Sequence, residues 1–150
     1  MAAPDVDPHN LQRFADAQEE TYAAALGELH AGRKRTHWMW FVFPQVTGLG
    51  ASSTAVFYAI QSRAEAESYL AHPLLGARLQ ECARALLAVN GRTAEQIMGF
   101  PDHLKLQSSM TLFAALAGPG SPFASVLEKY YGGRLCPRTL AFLEPETGAP

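Results

Sequence analysis

The stretch SRAEAESYLAHPLLGARLQECARALLAVNG, residues 62–91, decides the fold. Ser62 and Glu65 form a capping box: the serine oxygen accepts the amide three residues on, and the glutamate returns the bond. The helix they open runs to His72-Pro73, because a residue before proline is disfavoured in the α region. Beyond the proline, Leu74, Leu75, Leu79, Cys82, Leu86 and Leu87 recur at helical spacing and mark the buried face of a second helix. Asn90-Gly91 ends it.

The same signals continue in both directions. Thr93 and Gln96 form a second capping box before a short helix that stops at Gly99. Asp102 caps a segment through Leu116, with Leu106, Met110, Phe113 and Leu116 on one side. Pro122 suits the first turn of a helix that reaches Tyr131 and ends at Gly132-Gly133. Pro137 begins a last short helix carrying Leu140 and Leu143. Towards the N-terminus, Asn10 caps a helix with Leu11, Phe14, Tyr22, Ala25, Leu26 and Leu29 on its apolar face, and Gly32 stops it. Ser53 caps a short helix towards Tyr58, after a flexible loop over residues 48–53. Residues 38–43 fit an extended segment or a tight helical turn ending at Pro44; the extended form is the expectation. The predicted class is therefore mainly α: one compact helical domain over residues 10–143 with a short aromatic extended segment. Residues 1–9 are expected to be a flexible leader and residues 144–150 a flexible tail.

With 150 residues, 48% of them hydrophobic and 17% charged, the chain is long enough for one domain with a real core. A net charge of −2 supplies no global basic field, so nucleic-acid binding is not expected and attraction for anions must be local. Cys82 and Cys136 lie in no metal-ligand spacing, so neither a metal nor a cofactor is expected. Cys82 falls on an apolar helix face and belongs to the core. No apolar signal region or stretch of transmembrane length is present, which predicts a cytoplasmic chain with no membrane partner.

Three clusters hold polar groups beyond what packing needs. In Gly32-Arg33-Lys34-Arg35-Thr36-His37-Trp38-Met39-Trp40-Phe41-Val42-Phe43-Pro44-Gln45, three consecutive cations and a histidine run into both tryptophans of the chain. Arg and Lys match phosphate charge, and Trp offers a rigid face for stacking. A buried run after the charged end of a helix explains the same residues without a ligand. The second cluster, Lys105 with Ser108, Ser109 and Thr111, places an ammonium and hydroxyls near a helix start, as an anion cradle would. Bonds from those hydroxyls to their own helix carbonyls are the alternative. The third is Asp16 with Gln18, where a buried carboxylate would require a partner such as Arg35 or a ligand hydroxyl.

Taken together, Leu11-Gln12-Arg13-Phe14…Ala17-Gln18, residues 32–45, Tyr69-Leu70-Ala71-His72-Pro73-Leu74-Leu75-Gly76 and Lys105-Leu106-Gln107-Ser108-Ser109-Met110-Thr111-Leu112-Phe113 closely resemble an uncharacterised bacterial family. It is the domain of unknown function 1810 family, sometimes mislabelled calpastatin. The resemblance spans roughly residues 11–143 and brings no established activity. Cys136 departs from it, standing where an acidic residue is expected before Arg138-Thr139-Leu140. A fold-level likeness extends to the NADAR proteins, small helical enzymes that cleave N-glycosidic bonds in ADP-ribose-like or ribosylamino substrates; it assigns no catalytic residue here.

The functional expectation is a hydrolase-like pocket that cleaves an N-glycosidic bond in a phosphorylated nucleoside or ADP-ribose-type ligand. In that reading Asp16 is the catalytic carboxylate and His37 the proton donor. Trp38 or Trp40 stacks on the ligand, while Lys34, Arg35, Gln45, Lys105, Ser108 and Ser109 bind it. The alternative is a non-catalytic protein- or peptide-binding module that uses the aromatic and basic block, since Arg and aromatic residues also mark interface hot spots.

Overall fold

Several helices begin where a serine or threonine supplies an oxygen for a free first-turn amide. The computed structural model describes residues 7–144. Its helices are α1 (Gln12–Glu19), α2 (Tyr22–His30), α3 (Met39–Val42), α4 (Ser53–Tyr58), α5 (Arg63–Ala71), α6 (Leu75–Ala88), α7 (Ala94–Met98), α8 (Asp102–Ala117), α9 (Pro122–Tyr131) and α10 (Pro137–Leu143). Ser62 accepts the Glu65 amide at α5, and Thr93 and Gln96 close a full capping box at α7. Ser121 caps α9 with Pro122 in its first turn, and Gly132 ends that helix in the left-handed region. The cap of α4 is Ser52, one residue before the serine expected. Among the described residues, extended pairing is confined to one parallel bridge between Val46 and Ile60. The chain is mainly α-helical.

Three local expectations are corrected. The single helix expected from Asn10 to Gly32 is two, broken at Glu20-Thr21, where the Thr21 hydroxyl donates to the Ala17 carbonyl and competes with the helix ladder. The cap of α1 is Asp7 rather than Asn10: its carboxylate accepts the amides of Leu11 at 2.8 Å and Gln12 at 2.9 Å. Residues 7–9 thus belong to the folded unit, whereas residues 1–6 of the expected leader and 145–150 of the expected tail lie outside the described residues. Residues 39–42 are a helical turn, not an extended segment. Its Phe41 carbonyl is satisfied by the buried Gln18 amide at 2.6 Å, which also donates to the Tyr69 hydroxyl at 3.2 Å.

The core is built on α6, which lies against α2, α5 and α9, while α8 packs on α7, α9 and α10. Leu75, Leu79, Cys82 and Leu86 of α6 meet Met110 and Phe113 of α8, Phe123 and Val126 of α9, and the rings of Phe14, Phe43 and Tyr69. Burial pushes the Cys82 thiol up to about 12, as suits a core residue. At Gly76 a Cβ would stand 2.0 Å from the Leu70 carbonyl oxygen, so glycine is what lets α5 and α6 turn tightly against each other. The His72 ring closes this corner by accepting the Leu74 and Leu75 amides through Nδ1, both at 3.1 Å.

Arg13 fastens α1 to the middle of the chain. All five of its N–H groups are used: Nε donates to the Phe57 carbonyl, Nη1 to those of His9 and Asn10, and Nη2 to the Ala59 carbonyl and the Glu65 carboxylate. The ion pair, 2.7 Å long, is almost fully buried at both ends. Glu65 therefore spends its carboxylate on Arg13 and the Gln61 amide rather than completing the expected capping box. Removing one member of such a pair strands a buried charge. Glu65→Gln is expected to lower stability by about 3 kcal/mol in urea unfolding, with the helical signal of the native state unchanged.

Candidate functional site

Glu28 sits in the last turn of α2, where a carboxylate opposes the helix dipole unless something engages it. Here the loop that follows engages it fully. The Arg35 amide donates to Oε1 at 2.8 Å, the Thr36 amide at 3.0 Å and the Trp38 indole at 2.8 Å, while the Thr36 hydroxyl donates to Oε2 at 2.7 Å. Burial works against the charged form, yet the bonds from Arg35, Thr36 and Trp38 outweigh it and hold the carboxyl at about 2. One side chain thus shapes the cationic loop and seats Trp38 in the core, with no exposed surface.

Once shaped, the loop is held to the junction of α7 and α8. The Lys34 amide donates to the Ile97 carbonyl at 2.7 Å. Its ammonium reaches Asp102 at 2.9 Å and lies 5.0 Å from the Trp38 ring centre. The Lys34 side chain is only 8% exposed, so it is a structural tie rather than a free cation. Lys105 approaches the other oxygen of Asp102 at 3.3 Å and lies over Trp40, 5.3 Å from the ring centre. It keeps 27% of its side chain in solvent. Asp102, expected as a helix cap, instead clamps two lysines.

The structure thus brings Lys34, Trp38, Trp40 and Lys105 around Asp102, with Arg35 and His37 exposed on the adjoining loop. Trp38 cannot stack on a ligand, because packing covers its ring. Gln45 shares with Trp40 a recess of only about 10 Å³, room for a water at most. Ser108 and Ser109 lie inside α8 rather than at its start, and both are buried. The Ser108 hydroxyl donates to the Leu104 carbonyl at 3.2 Å and approaches Cys136 Sγ at 3.3 Å; the Ser109 hydroxyl has no hydrogen-bond partner among the described residues. At the start of α8 the amides of His103, Leu104 and Lys105 already donate to Gly99 and Pro101, leaving no cradle for phosphate. Asp16 is exposed on α1, where it accepts from Gln12 at 2.8 Å. No described contact joins it to His37 or to either lysine.

Beside this cluster lie two exposed apolar side chains that sequence spacing did not single out. Phe100 is 74% exposed and Leu104 47%. Phe100 leans on His103, with ring centres 5.8 Å apart. The corner therefore combines apolar anchors with basic groups on a scaffold fixed by Glu28 and Asp102. Among the described residues, no three His, Cys, Asp or Glu side chains converge as metal ligands would, and no helix is long and apolar enough to cross a membrane.

The low value at Glu28 has a consequence for acid stability. Its folded-state pKa is depressed, so its stabilisation is complete above the unfolded value near 4.5 and is lost as pH falls through about 2. The stability difference between wild type and Glu28→Gln, followed by chemical unfolding, is expected to be constant from pH 7 to 5 and to shrink steadily from pH 4.5 to 2.

Comparison with known proteins agrees with this architecture. A crystal structure of the conserved hypothetical protein Rv1873 from Mycobacterium tuberculosis is 54% identical and superposes with a TM-score of 0.89, over 91% of this chain and 98% of that one. No curated protein matches the sequence. The model of the family described as Protein of unknown function (DUF1810) matches residues 8–143, and the chain belongs to that family.

Proposed function

We propose that the chain is a protein- or peptide-binding module and that the corner formed by residues 33–40 and 97–105 is its recognition surface. The observation that carries this reading is the exposure of Phe100 and Leu104 on the same segment as Lys105, which is tied to the Lys34 loop through Ile97 and Asp102. Exposed aromatic and aliphatic anchors rimmed by cations suit a segment that is apolar at its centre and acidic at its flanks. Arg35, His37 and Lys105 supply the complementary charge, which governs encounter rate and register more than final affinity. Rigidity adds to the reading, since a preformed surface loses little entropy on binding.

Cleavage of an N-glycosidic bond draws less support. It needs a carboxylate, a proton donor and a stacking face around one cavity. Asp16 lines a recess with Phe57 and Tyr58 that includes neither His37, a tryptophan nor a lysine, Trp38 is enclosed, and Lys34 is paired with Asp102.

The two readings separate in one comparison. Peptides of acidic-aromatic composition, selected from a displayed library, are titrated into labelled protein alongside ADP-ribose. Selected peptides are expected to shift the amides of residues 100–105 and 35–40. Phe100→Ala is expected to cost roughly 2 kcal/mol of binding, the scale of an interface hot spot. Lys105→Ala is expected to cost about 1 kcal/mol, fading as salt rises. Saturable ADP-ribose binding at Trp40 and Lys105, with turnover lost in Asp16→Asn, would instead establish the glycosidase.

A further inference from the structure

Away from that corner, α8, α9 and α10 leave a groove between them of about 330 Å³. Small side chains line it, Ala114 on α8 and Ala124 on α9, together with the exposed Leu135 and Leu140. Its volume lies at the lower end of what small-molecule sites enclose, roughly 300–1,000 Å³. The Thr111 hydroxyl reaches this groove but is already occupied, donating to the Gln107 carbonyl at 2.8 Å and accepting the Cys136 amide at 3.0 Å. The polar group left to a ligand is the Glu128 carboxylate.

Glu128 is placed against its own electrostatic interest. It lies in the last turn of α9, where the carbonyl end of the helix disfavours a negative charge. No hydrogen bond or ion pair engages it among the described residues. The neighbouring cations are directed elsewhere: the Lys129 ammonium donates to the carbonyls of Leu87 and Val89, and Arg134 Nε donates to the Tyr131 carbonyl at 3.2 Å. Gly133 makes room for the carboxylate, since a Cβ there would stand 3.1 Å from Glu128 Oε2. A carboxylate reinforced by a helix C-terminus, over an apolar groove, complements a cation with an apolar body.

We infer that this groove binds a small primary ammonium compound, with its alkyl or aryl body between Ala114, Ala124, Leu135 and Leu140 and its ammonium on the Glu128 carboxylate. An anionic or neutral ligand of the same shape gains the apolar contact without the charge pairing. Occupancy would also neutralise the unfavourable end of α9.

The test is an NMR titration of the whole chain with hexylamine, 1-hexanol and hexanoate at pH 7 and fixed salt. Hexylammonium is expected to bind roughly fivefold tighter than hexanol, the upper range for a partly exposed ion pair, and hexanoate weakest of the three. Shifted amides are expected in residues 111–115, 124–128 and 133–140. Glu128→Gln, a change at an exposed position, is expected to bring the amine-to-alcohol ratio close to one while hexanol affinity is unchanged. Ala124→Leu, which fills the groove, is expected to weaken both. Equal affinity of amine and alcohol in the wild type, a preference that survives Glu128→Gln, shifts confined to other residues, or no binding of either compound would each overturn the assignment.

Discussion

A fold assembled from short helices leaves many backbone polar groups outside any helical ladder, and each must find a partner or remain in water. Two charged side chains meet part of that demand in the irregular segments. Arg13 takes up the carbonyls of His9 and Asn10 before α1 and of Phe57 and Ala59 at the end of α4. Glu28 takes up the amides of Arg35 and Thr36 and the indole of Trp38. Arg13 and the buried Phe14 ring, which meets Tyr58 and Tyr69, together fix α1 against α4 and α5. Glu28, together with the Lys34 bonds to Ile97 and Asp102, sets the course of the loop between α2 and α3.

That corner illustrates how a charge can be made structural or left functional by its neighbours. Lys34, Arg35 and Lys105 are chemically alike as cations. Lys34 is enclosed by Asp102, the Thr36 carbonyl and the Trp38 ring, so its charge is compensated inside the fold. Lys105 shares the same aspartate at a longer distance and remains partly in water over Trp40. Arg35 lends only its backbone amide to the fold, leaving an exposed side chain. Buried ion pairs contribute little net stability but fix geometry, and here they fix the geometry around Phe100 and Leu104.

Much of the fold was legible because its signals are local. Caps at Ser62 and Thr93, the Pro122 start and the Gly132 stop each act within one turn, and the spacing of Leu79, Cys82 and Leu86 reports one buried face. The candidate site was less legible, because its determinants are long-range. Glu28 reads as a solvated residue at the end of a helix, and nothing in its spacing announces the loop that folds onto it. Arg13 and Glu65 are 52 residues apart, so neither predicts the other. The tryptophans look equivalent in sequence, yet the Glu28 bond draws Trp38 inward while Trp40 stays half-buried. Ser108 and Ser109 look like ligands from composition alone, and helix phase turns both towards the interior. Phe100 stands alone before Pro101 and belongs to no helical repeat, so spacing gives it no signal.

One carboxylate, Glu28, holds the loop of residues 35–38 in place. Amide hydrogen exchange of Arg35 and Thr36 tests it most directly, compared between wild type and Glu28→Gln with the amides of α6 as an internal standard. The expected result is strong protection of both amides in the wild type, lost selectively in the variant while α6 keeps its protection. Rapid exchange of Arg35 and Thr36 in the wild-type protein would show that Glu28 does not hold this loop.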